Sequence, residues 1–178
     1  MVSIQITREA ELSPALIHEM NDYYHEVFVE ESATAEYWLP NPEWRLIVFD
    51  DQLKWMTTLE IHDKVIKVDG KEVRVGGIGG VVTLPEYRGQ KHAERAMRRA
   101  VLFINEELHA SFGMLFCFPK LVPYYERLGW QRMTAADLVY RDSTGAPRHF
   151  TDSMGAMTYE ASGQPFPSGQ VDLGGYPW

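Results

Sequence analysis

The N-terminal third of the chain changes from a strand pattern to a helix pattern and then loses its period. Residues 2–7 alternate apolar and polar side chains, which predicts a strand. Ser13-Pro14 supplies a helix N-cap followed by proline at the first helical position, and the helix is predicted to continue to about residue 29. Residues 30–42 lack a sustained period and predict a long loop, of the kind that often covers a substrate. The predicted helix buries one face: Leu16, Met20, Tyr23, Tyr24, Val27 and Phe28.

The middle of the chain predicts an antiparallel meander. Residues 44–49 and 54–68 read as strands, and Asp69-Gly70 is a strong hairpin signal that predicts pairing with a third strand over 71–84. That third strand contains four glycines, Gly76, Gly77, Gly79 and Gly80. Glycine inside a strand marks a bulge or the close approach of a backbone or ligand, and we expect a ligand here because a phosphate-binding turn follows.

The apolar pattern switches from strand to helix at residues 88–92. Pro85 ends the strand, and a stripe at three- and four-residue spacing then predicts a helix through Ala93, Ala96, Met97, Ala100, Val101 and Ile104. A helix N-terminus favours an anion. Gly89 lets the backbone approach closely, and Arg88 and Lys91 add positive charge. The segment predicts a phosphate-binding turn, the alternative being an ordinary turn with solvated basic residues.

The C-terminal part predicts closing strands and a packed tail. Residues 111–118 predict a strand, 124–128 a short helix ended by Gly129, and 131–141 and 153–160 two strands around a loop at 142–152. The Gly/Pro-rich tail, 161–178, is expected to pack back across the domain without regular structure. Its apolar anchors are Phe166, Val171, Leu173, Tyr176 and Trp178.

Composition narrows the class of protein. With 178 residues, of which 45% are hydrophobic, the chain suits one domain spanning residues 1–178. A net charge of -8 argues against nucleic acid and anionic membranes as partners and favours a cationic small molecule. The single Cys117 rules out an internal disulfide, and we expect a cytoplasmic protein because no membrane-length segment or leader pattern is present. The six histidines lack metal-ligand spacing, so no metal is predicted.

Residues 44–130 resemble the GNAT superfamily of N-acetyltransferases. The family's Arg/Gln-x-x-Gly-x-Gly/Ala loop, which wraps the coenzyme A pyrophosphate, is similar to Arg88-x-x-Lys91-x-Ala93, with Lys91 departing at the middle glycine. The resemblance implies an α/β (mixed α+β) fold with a largely antiparallel central sheet flanked by helices. It also implies an acetyl-CoA-dependent enzyme that acetylates a primary amine of a small, cationic molecule by direct attack.

The same resemblance assigns roles to residues. The strand before the loop is expected to splay from its neighbour, so that main-chain N–H groups near Val81 to Thr83 hold the acyl carbonyl. Tyr125, in Tyr-x-x-x-Gly-Trp, matches the tyrosine that protonates the departing thiolate, although adjacent Tyr124 takes that role if the short helix is shifted. The cofactor contacts implied are Val81, Val82, Thr83, Arg88, Gly89, Gln90, Lys91, His92 and Ala93, with His92 either on a phosphate or facing solvent.

The spacing of the acidic residues does not identify which of them is the general base. The acidic groups available are Glu30, Glu31, Glu60, Asp152, Asp172 and the C-terminal carboxylate of Trp178. Of these, Glu30 and Glu31 fall in the predicted substrate loop and are expected to contact substrate.

The chain also bears a weaker resemblance to aminoglycoside 2'-N-acetyltransferases, on size and on the Trp178 ending. That resemblance implies that the Trp178 carboxylate is a base or a substrate contact and that Asp152 and Asp172 bind ammonium groups, but Gly79 stands where that subfamily carries a glutamate. The open alternatives are an antibiotic-modifying enzyme of this kind, a non-catalytic coenzyme A sensor and another nucleotide-phosphate binding protein. A homodimer is compatible with a fold of this size.

Overall fold

The computed structural model describes residues 2–29, 41–133, 138–142, 144–150 and 154–178. Three α-helices are present in these ranges: α1 (Pro14–Val29), α2 (His92–Glu106) and α3 (Val122–Arg127). Short 3-10 helices occupy Glu9–Glu11, Pro85–Tyr87 and Pro119–Leu121. The strands are β1 (Ser3–Arg8), β2 (Trp44–Phe49), β3 (Trp55–Val68), β4 (Lys71–Thr83), β5 (Phe112–Cys117), β6 (Gln131–Arg132), β7 (Leu138–Arg141), β8 (Pro147–His149), β9 (Gly155–Glu160) and β10 (Val171–Asp172).

The described strands form one mixed sheet. Its order is β6-β9-β5-β4-β3-β10-β7-β8, and β2 also pairs with β3 while carrying β1 on its other edge. Only the β4–β5 and β10–β7 pairs among these strands are parallel. Helix α2 makes the crossover between β4 and β5, which a parallel pair requires. The predicted fold class, a largely antiparallel mixed sheet flanked by helices, is confirmed.

The β3–β4 hairpin turns as its sequence predicts. Asp69 and Gly70 both have positive φ, 48° and 78°, as a type I′ turn requires. Further along the pair, Thr58 faces Val82 and Glu60 faces Gly79, so that two residues of β4 oppose one of β3. This bulge has Gly80 at a φ of 56° and increases the local twist of β4 just before the helix crossover.

The buried apolar residues form three clusters. One lies under α2 and α3 and includes Met97, Ile104 and Trp130. A second lies around β5, β7 and the C-terminal tail. The third packs α1 on β2 and β3, and its apolar face is the predicted one: Leu16, Met20, Tyr23, Tyr24, Val27 and Phe28. Helix α1 therefore covers the sheet near the start of α2.

The closing part of the chain differs from its prediction in three places. The predicted strand over 131–141 is divided into β6 and β7, and residues 134–137 lie outside the described ranges. The predicted loop at 142–152 contains β8, and the tail contains the two-residue β10. These strands are short and lack a clear period, so that their pairing partners rather than their own residues determine them.

Candidate active site

A wedge opens between β4 and β5. The two strands pair only from Val75–Phe112 to Ile78–Leu115, although β5 continues to Cys117 and β4 to Thr83. Beyond Ile78 the edge of β4 that faces β5 carries no ladder partner in the described register. Its main-chain N–H groups are donors for whatever enters the wedge.

The turn that follows β4 has two residues in the left-handed region. Gly89 has a φ of 75° and Lys91, the residue before α2, a φ of 62°. Lys91 therefore differs from the family's glycine in its side chain but keeps the left-handed backbone conformation that glycine adopts. For a residue with a Cβ, this conformation costs roughly 1–2 kcal/mol. The turn retains the shape that presents N–H groups at the N-terminus of α2.

A cleft of about 250 Å³ lies over this turn. Six of the predicted cofactor contacts line it, together with Tyr87, Glu94 and Tyr124; the six are Thr83, Arg88, Gly89, Lys91, His92 and Ala93. Val81, Val82 and Gln90 do not line it. Val81 and Val82 belong to the unpaired end of β4, and the Gln90 amide donates to the Glu86 carbonyl at 3.2 Å.

Arg88 connects the turn to α1. Its Nε donates to the Thr83 carbonyl at 3.1 Å, and Nη2 donates to the Tyr23 hydroxyl at 2.9 Å. The Tyr23 hydroxyl in turn donates to the same carbonyl at 3.3 Å. These bonds orient the guanidinium at the mouth of the cleft.

Two residues that line the cleft have a buried polar atom without a partner among the described residues. Nδ1 of His92 and the hydroxyl of Tyr124 are buried and make no hydrogen bond within the described ranges. Burial and the nearby Arg95 lower the pKa of His92, so the ring is neutral at neutral pH. His92 is a buried residue at the floor of the cleft, which corrects the solvent-facing alternative.

Tyr125 and Tyr124 point into different surroundings. Tyr125 is buried in the core cluster under α2, with its ring 6.4 Å from that of Trp130 and its hydroxyl near the Cys117 thiol. Burial raises its pKa, as it does that of Tyr124. Tyr125 thus lies beside the end of β5, at the wedge, whereas Tyr124 lies beside the phosphate-binding turn.

The strand glycines accommodate protein side chains. A Cβ at Gly76 would overlap Ile104 of α2, and a Cβ at Gly77 would overlap the indole of Trp178. The Trp178 ring is buried, and its Nε1 donates to the Met114 carbonyl at 3.2 Å. These two glycines therefore serve helix and tail packing, which corrects the expectation that the glycine run accommodates a ligand throughout.

Charged groups converge above Gly79. An atom at its Cβ position would lie 3.3 Å from the backbone carbonyl carbon of Trp178, 3.4 Å from Oε2 of Glu60 and 3.6 Å from Nε2 of His62. Glu60 faces Gly79 across the β3–β4 ladder. The space where a glutamate at position 79 would project is thus bordered by the carboxylate of Glu60.

Arg45 holds Glu60 from the other side. This arginine is 2% exposed, and it donates to Glu9 through Nε at 2.6 Å and through Nη2 at 2.9 Å. Nη2 also reaches Oε1 of Glu60 at 3.4 Å and the Asn21 amide oxygen at 3.2 Å. Oε2 of Glu60 is left facing Gly79 and His62.

The remaining predicted substrate residues lie elsewhere. The Asp172 carboxylate lies in the tail, where it accepts hydrogen bonds from Arg141 of β7 at 2.7 Å and from the N–H of Gly174 at 2.9 Å. Glu30, Glu31 and Asp152 lie outside the described residues. The sequence analysis did not identify Arg45 or His62 as candidate site residues. The spacing Glu60-x-His62 could have indicated His62, because it places two polar groups on one face of a strand.

The N-terminal and central parts of the chain match a known family. A sequence profile described as an acetyltransferase (GNAT) domain matches residues 10–133, more than half of the chain. The protein belongs to the GNAT acetyltransferases. It is therefore an acyltransferase, and acetyl-CoA is its acyl donor. A search of curated proteins gave no match.

Solved structures share the fold of this acetyltransferase. Escherichia coli ElaA is 18% identical, with 90% of this chain and 100% of that chain covered and a TM-score of 0.65. An acyl-CoA N-acyltransferase from Pseudomonas aeruginosa is 18% identical, with 89% and 99% covered and a TM-score of 0.64. Escherichia coli YhbS, solved in complex with CoA, is 17% identical, with 97% and 89% covered and a TM-score of 0.60.

The residues of this acetyltransferase fit coenzyme A. The turn presents backbone donors and two cations to a pyrophosphate, and the cleft of about 250 Å³ over it has room for part of the cofactor. The unpaired edge of β4 matches the amide groups of a pantetheine arm. Within the described ranges, no group of three or more His, Cys, Asp or Glu side chains is arranged to hold a metal ion, and no helix is long and apolar enough to cross a bilayer.

Proposed function

We propose that residues 1–178 form a single N-acetyltransferase domain that transfers the acetyl group of acetyl-CoA to a primary amine of a small cationic molecule. The observation that carries this proposal is the position of the Glu60 carboxylate beside Gly79, where the pairing of β4 with β5 ends. An amine held there would lie next to a thioester whose pyrophosphate occupies the Arg88–Ala93 turn.

Acetyl-CoA supplies an activated acyl group with a thiolate leaving group. N–H groups in the range Val81 to Thr83 that face away from β3, on the part of β4 without a β5 partner, are proposed to hold the acyl oxygen as negative charge develops on it. Loss of one such donor typically costs 10²–10³-fold in rate, about 2.7–4 kcal/mol. The Gly80 bulge supports this role because it increases the twist of β4 just before these residues.

Tyr125 is proposed to donate a hydrogen bond to the departing sulfur. Its position beside Cys117, at the wedge, supports this role, and its raised pKa keeps the proton on the oxygen across the neutral range. A thiol has an unperturbed pKa of about 8.5, so donation of a hydrogen bond is favoured over complete proton loss by the tyrosine. Tyr124, next to the turn, is proposed to line the phosphate end of the cofactor site.

The acceptor is proposed to be a cation because the Glu60 carboxylate borders Gly79. Glu60 contributes a negative charge there, while the nearby Arg45 is paired with Glu9. The net charge of -8 attracts the same class of molecule over longer distances. The Trp178 carboxylate is proposed as a contact for the ammonium group.

Turnover with a panel of amines tests the function. Purified protein and acetyl-CoA are incubated with polyamines, aminoglycosides, amino acids and peptides with free N-termini, and released coenzyme A is measured by chromatography. Acetylation of a polyamine or an aminoglycoside, with no reaction of acidic peptides, is the expected result. Tight coenzyme A binding without turnover on any acceptor would instead identify a non-catalytic sensor.

Two tyrosine variants test the catalytic assignment. Tyr125→Phe should lower kcat with acetyl-CoA affinity unchanged, because the lost bond forms only as the sulfur departs. Tyr124→Phe, the matched control, should weaken cofactor binding with little change in kcat. The opposite pattern would exchange the two roles.

A further inference from the structure

The Gly79 pocket is defined here by Gly79, Glu60 and His62. Oε2 of Glu60 and Nε2 of His62 lie 3.4 and 3.6 Å from the Cβ position of Gly79 and 3.6 Å from each other. Because these two atoms are so close together, a nitrogen on the side away from the Gly79 Cα can lie about 2.7–3.2 Å from both. Any side chain at position 79 would fill the pocket.

The ring of His62 packs beside that of Trp178, with centroids 6.2 Å apart, but its two nitrogens are unused by the described part of the chain. Its side chain is 0% exposed, and neither ring nitrogen has a hydrogen-bond partner among the residues the structure describes. Buried polar atoms are almost always bonded to protein, water or ligand. Nε2 lies 3.6 Å from Oε2 of Glu60 and Nδ1 lies 3.8 Å from Oε2 of Glu43, so both nitrogens face carboxylates beyond bonding distance.

The contacts of the neighbouring carboxylates indicate a different role for the carboxylates and for the imidazole. Glu60 is anchored through Oε1 by Arg45, which leaves Oε2 for a cation. Glu43 is engaged by Lys64 at 3.2 Å and by the N–H of Asp63 at 3.1 Å. The carboxylates are thus suited to bind an ammonium group, and the imidazole is suited to take its proton.

Resting on the proposed function, we propose that the Gly79 pocket binds the ammonium group of the acceptor and that Nε2 of His62 removes its proton. A primary ammonium has an unperturbed pKa of about 10.4 and arrives charged, so one proton must leave before attack. The tautomer with its proton on Nδ1, directed toward Glu43, leaves the Nε2 lone pair free. Gly79 opens onto the wedge, because the β4–β5 ladder ends at its neighbour Ile78.

The proton and electron balance is complete. Nε2 of His62 takes one proton from the ammonium, and the amine lone pair attacks the acetyl carbon to form the C–N bond. The C–S bond then breaks with its electron pair on sulfur. The departing sulfur accepts a hydrogen bond from the Tyr125 hydroxyl, the second amine proton passes to the thiolate, and His62 releases the first proton to solvent. The products are the N-acetyl amine, coenzyme A and one proton.

Variants separate proton removal from binding. With the best acceptor of the amine panel, His62→Gln should lower kcat by about 10²-fold or more, as expected for loss of a general base, with the KM of acetyl-CoA unchanged. Glu60→Gln should chiefly raise the KM of the amine, by about tenfold or more, because a bond between two charged groups is lost. His18→Gln, an exposed histidine on α1, is the matched control and should match the wild type.

A spectroscopic readout covers the case in which a buried substitution prevents folding. In wild-type protein with isotope-labelled histidine, addition of that acceptor in the absence of acetyl-CoA should shift the His62 ring signal and leave the His18 signal in place. An unshifted His62 signal, or a His62→Gln enzyme with wild-type kcat, would overturn the inference and leave the proposed function standing. A wild-type enzyme that acetylates no amine would overturn both.

Discussion

Substitution of Gly77 by alanine tests whether the C-terminal tail packs tightly against β4. The new Cβ would lie 2.5 Å from Nε1 and 2.8 Å from Cδ2 of Trp178. Favourable contacts between carbon atoms lie at about 3.5–4.0 Å, so the overlap is about 1 Å. The indole has little room to yield, because it donates to the Met114 carbonyl and stands edge-on against Phe116 with centroids 5.3 Å apart.

The expected cost follows from that overlap. Overpacking of a well-packed core typically costs about 1–3 kcal/mol, and loss of the indole hydrogen bond adds about 1 kcal/mol. For a protein of this size the overpacking alone corresponds to a fall in Tm of roughly 2–12 °C. The free energy of unfolding is measured by urea titration, with equal m-values required for the comparison.

Gly175→Ala is the matched control in the same tail. No atom lies within 4 Å of a Cβ at that position, and its φ is outside the left-handed region. Its stability should stay within about 0.5 kcal/mol of the wild type. Equal stability of the Gly77→Ala and Gly175→Ala proteins would refute the packing argument. Gly77→Ala should also raise the KM of the amine, because Trp178 also lies against Gly79 and its backbone is displaced with its ring.

Three further predictions concern backbone strain, thiol reactivity and acid stability. Lys91→Gly should be more stable than Lys91→Ala by up to about 1 kcal/mol in urea unfolding. Both variants lack the ammonium group, and only alanine keeps a Cβ at a φ of 62°. A glycine variant less stable than the alanine variant would contradict the argument that the backbone at residue 91 is strained. Burial raises the pKa of Cys117 to about 11, so about 0.1% is thiolate at pH 8 and iodoacetamide should modify Cys117 only in unfolded protein; fast labelling of the native state would show an open core. Hydrogen bonds from Thr144 and Arg148 hold the pKa of Asp142 below its usual range. The stability that this carboxylate contributes is therefore present above about pH 4 and lost as pH falls further. The difference in thermal stability between wild type and Asp142→Ala should narrow below that pH, and a constant difference would argue against the ionised carboxylate.

Local signals in the sequence determined most of the helices and long strands. The N-cap at Ser13 and the period of α1, the Asp69-Gly70 turn, and the switch from strand to helix at Arg88 are properties of neighbouring residues. Their backbone conformations depend on side chains a few positions away, which is why these elements were predictable. The position of the phosphate-binding turn was predictable for the same reason, and even Lys91 takes the conformation expected of glycine.

The tertiary structure alone decided which groups meet at the Gly79 pocket. Glu60 reaches Gly79 only through the β3–β4 register, which the bulge at Gly80 shifts by one residue, and a shift of one residue exchanges the two faces of a strand. Trp178 arrives from a tail that the sequence pattern left without a defined path. Contacts between residues so far apart in the chain depend on pairing and packing rather than on local period. The sequence by itself therefore identified a cofactor-binding turn, and only the folded chain brought His62, Glu60 and Trp178 together around Gly79.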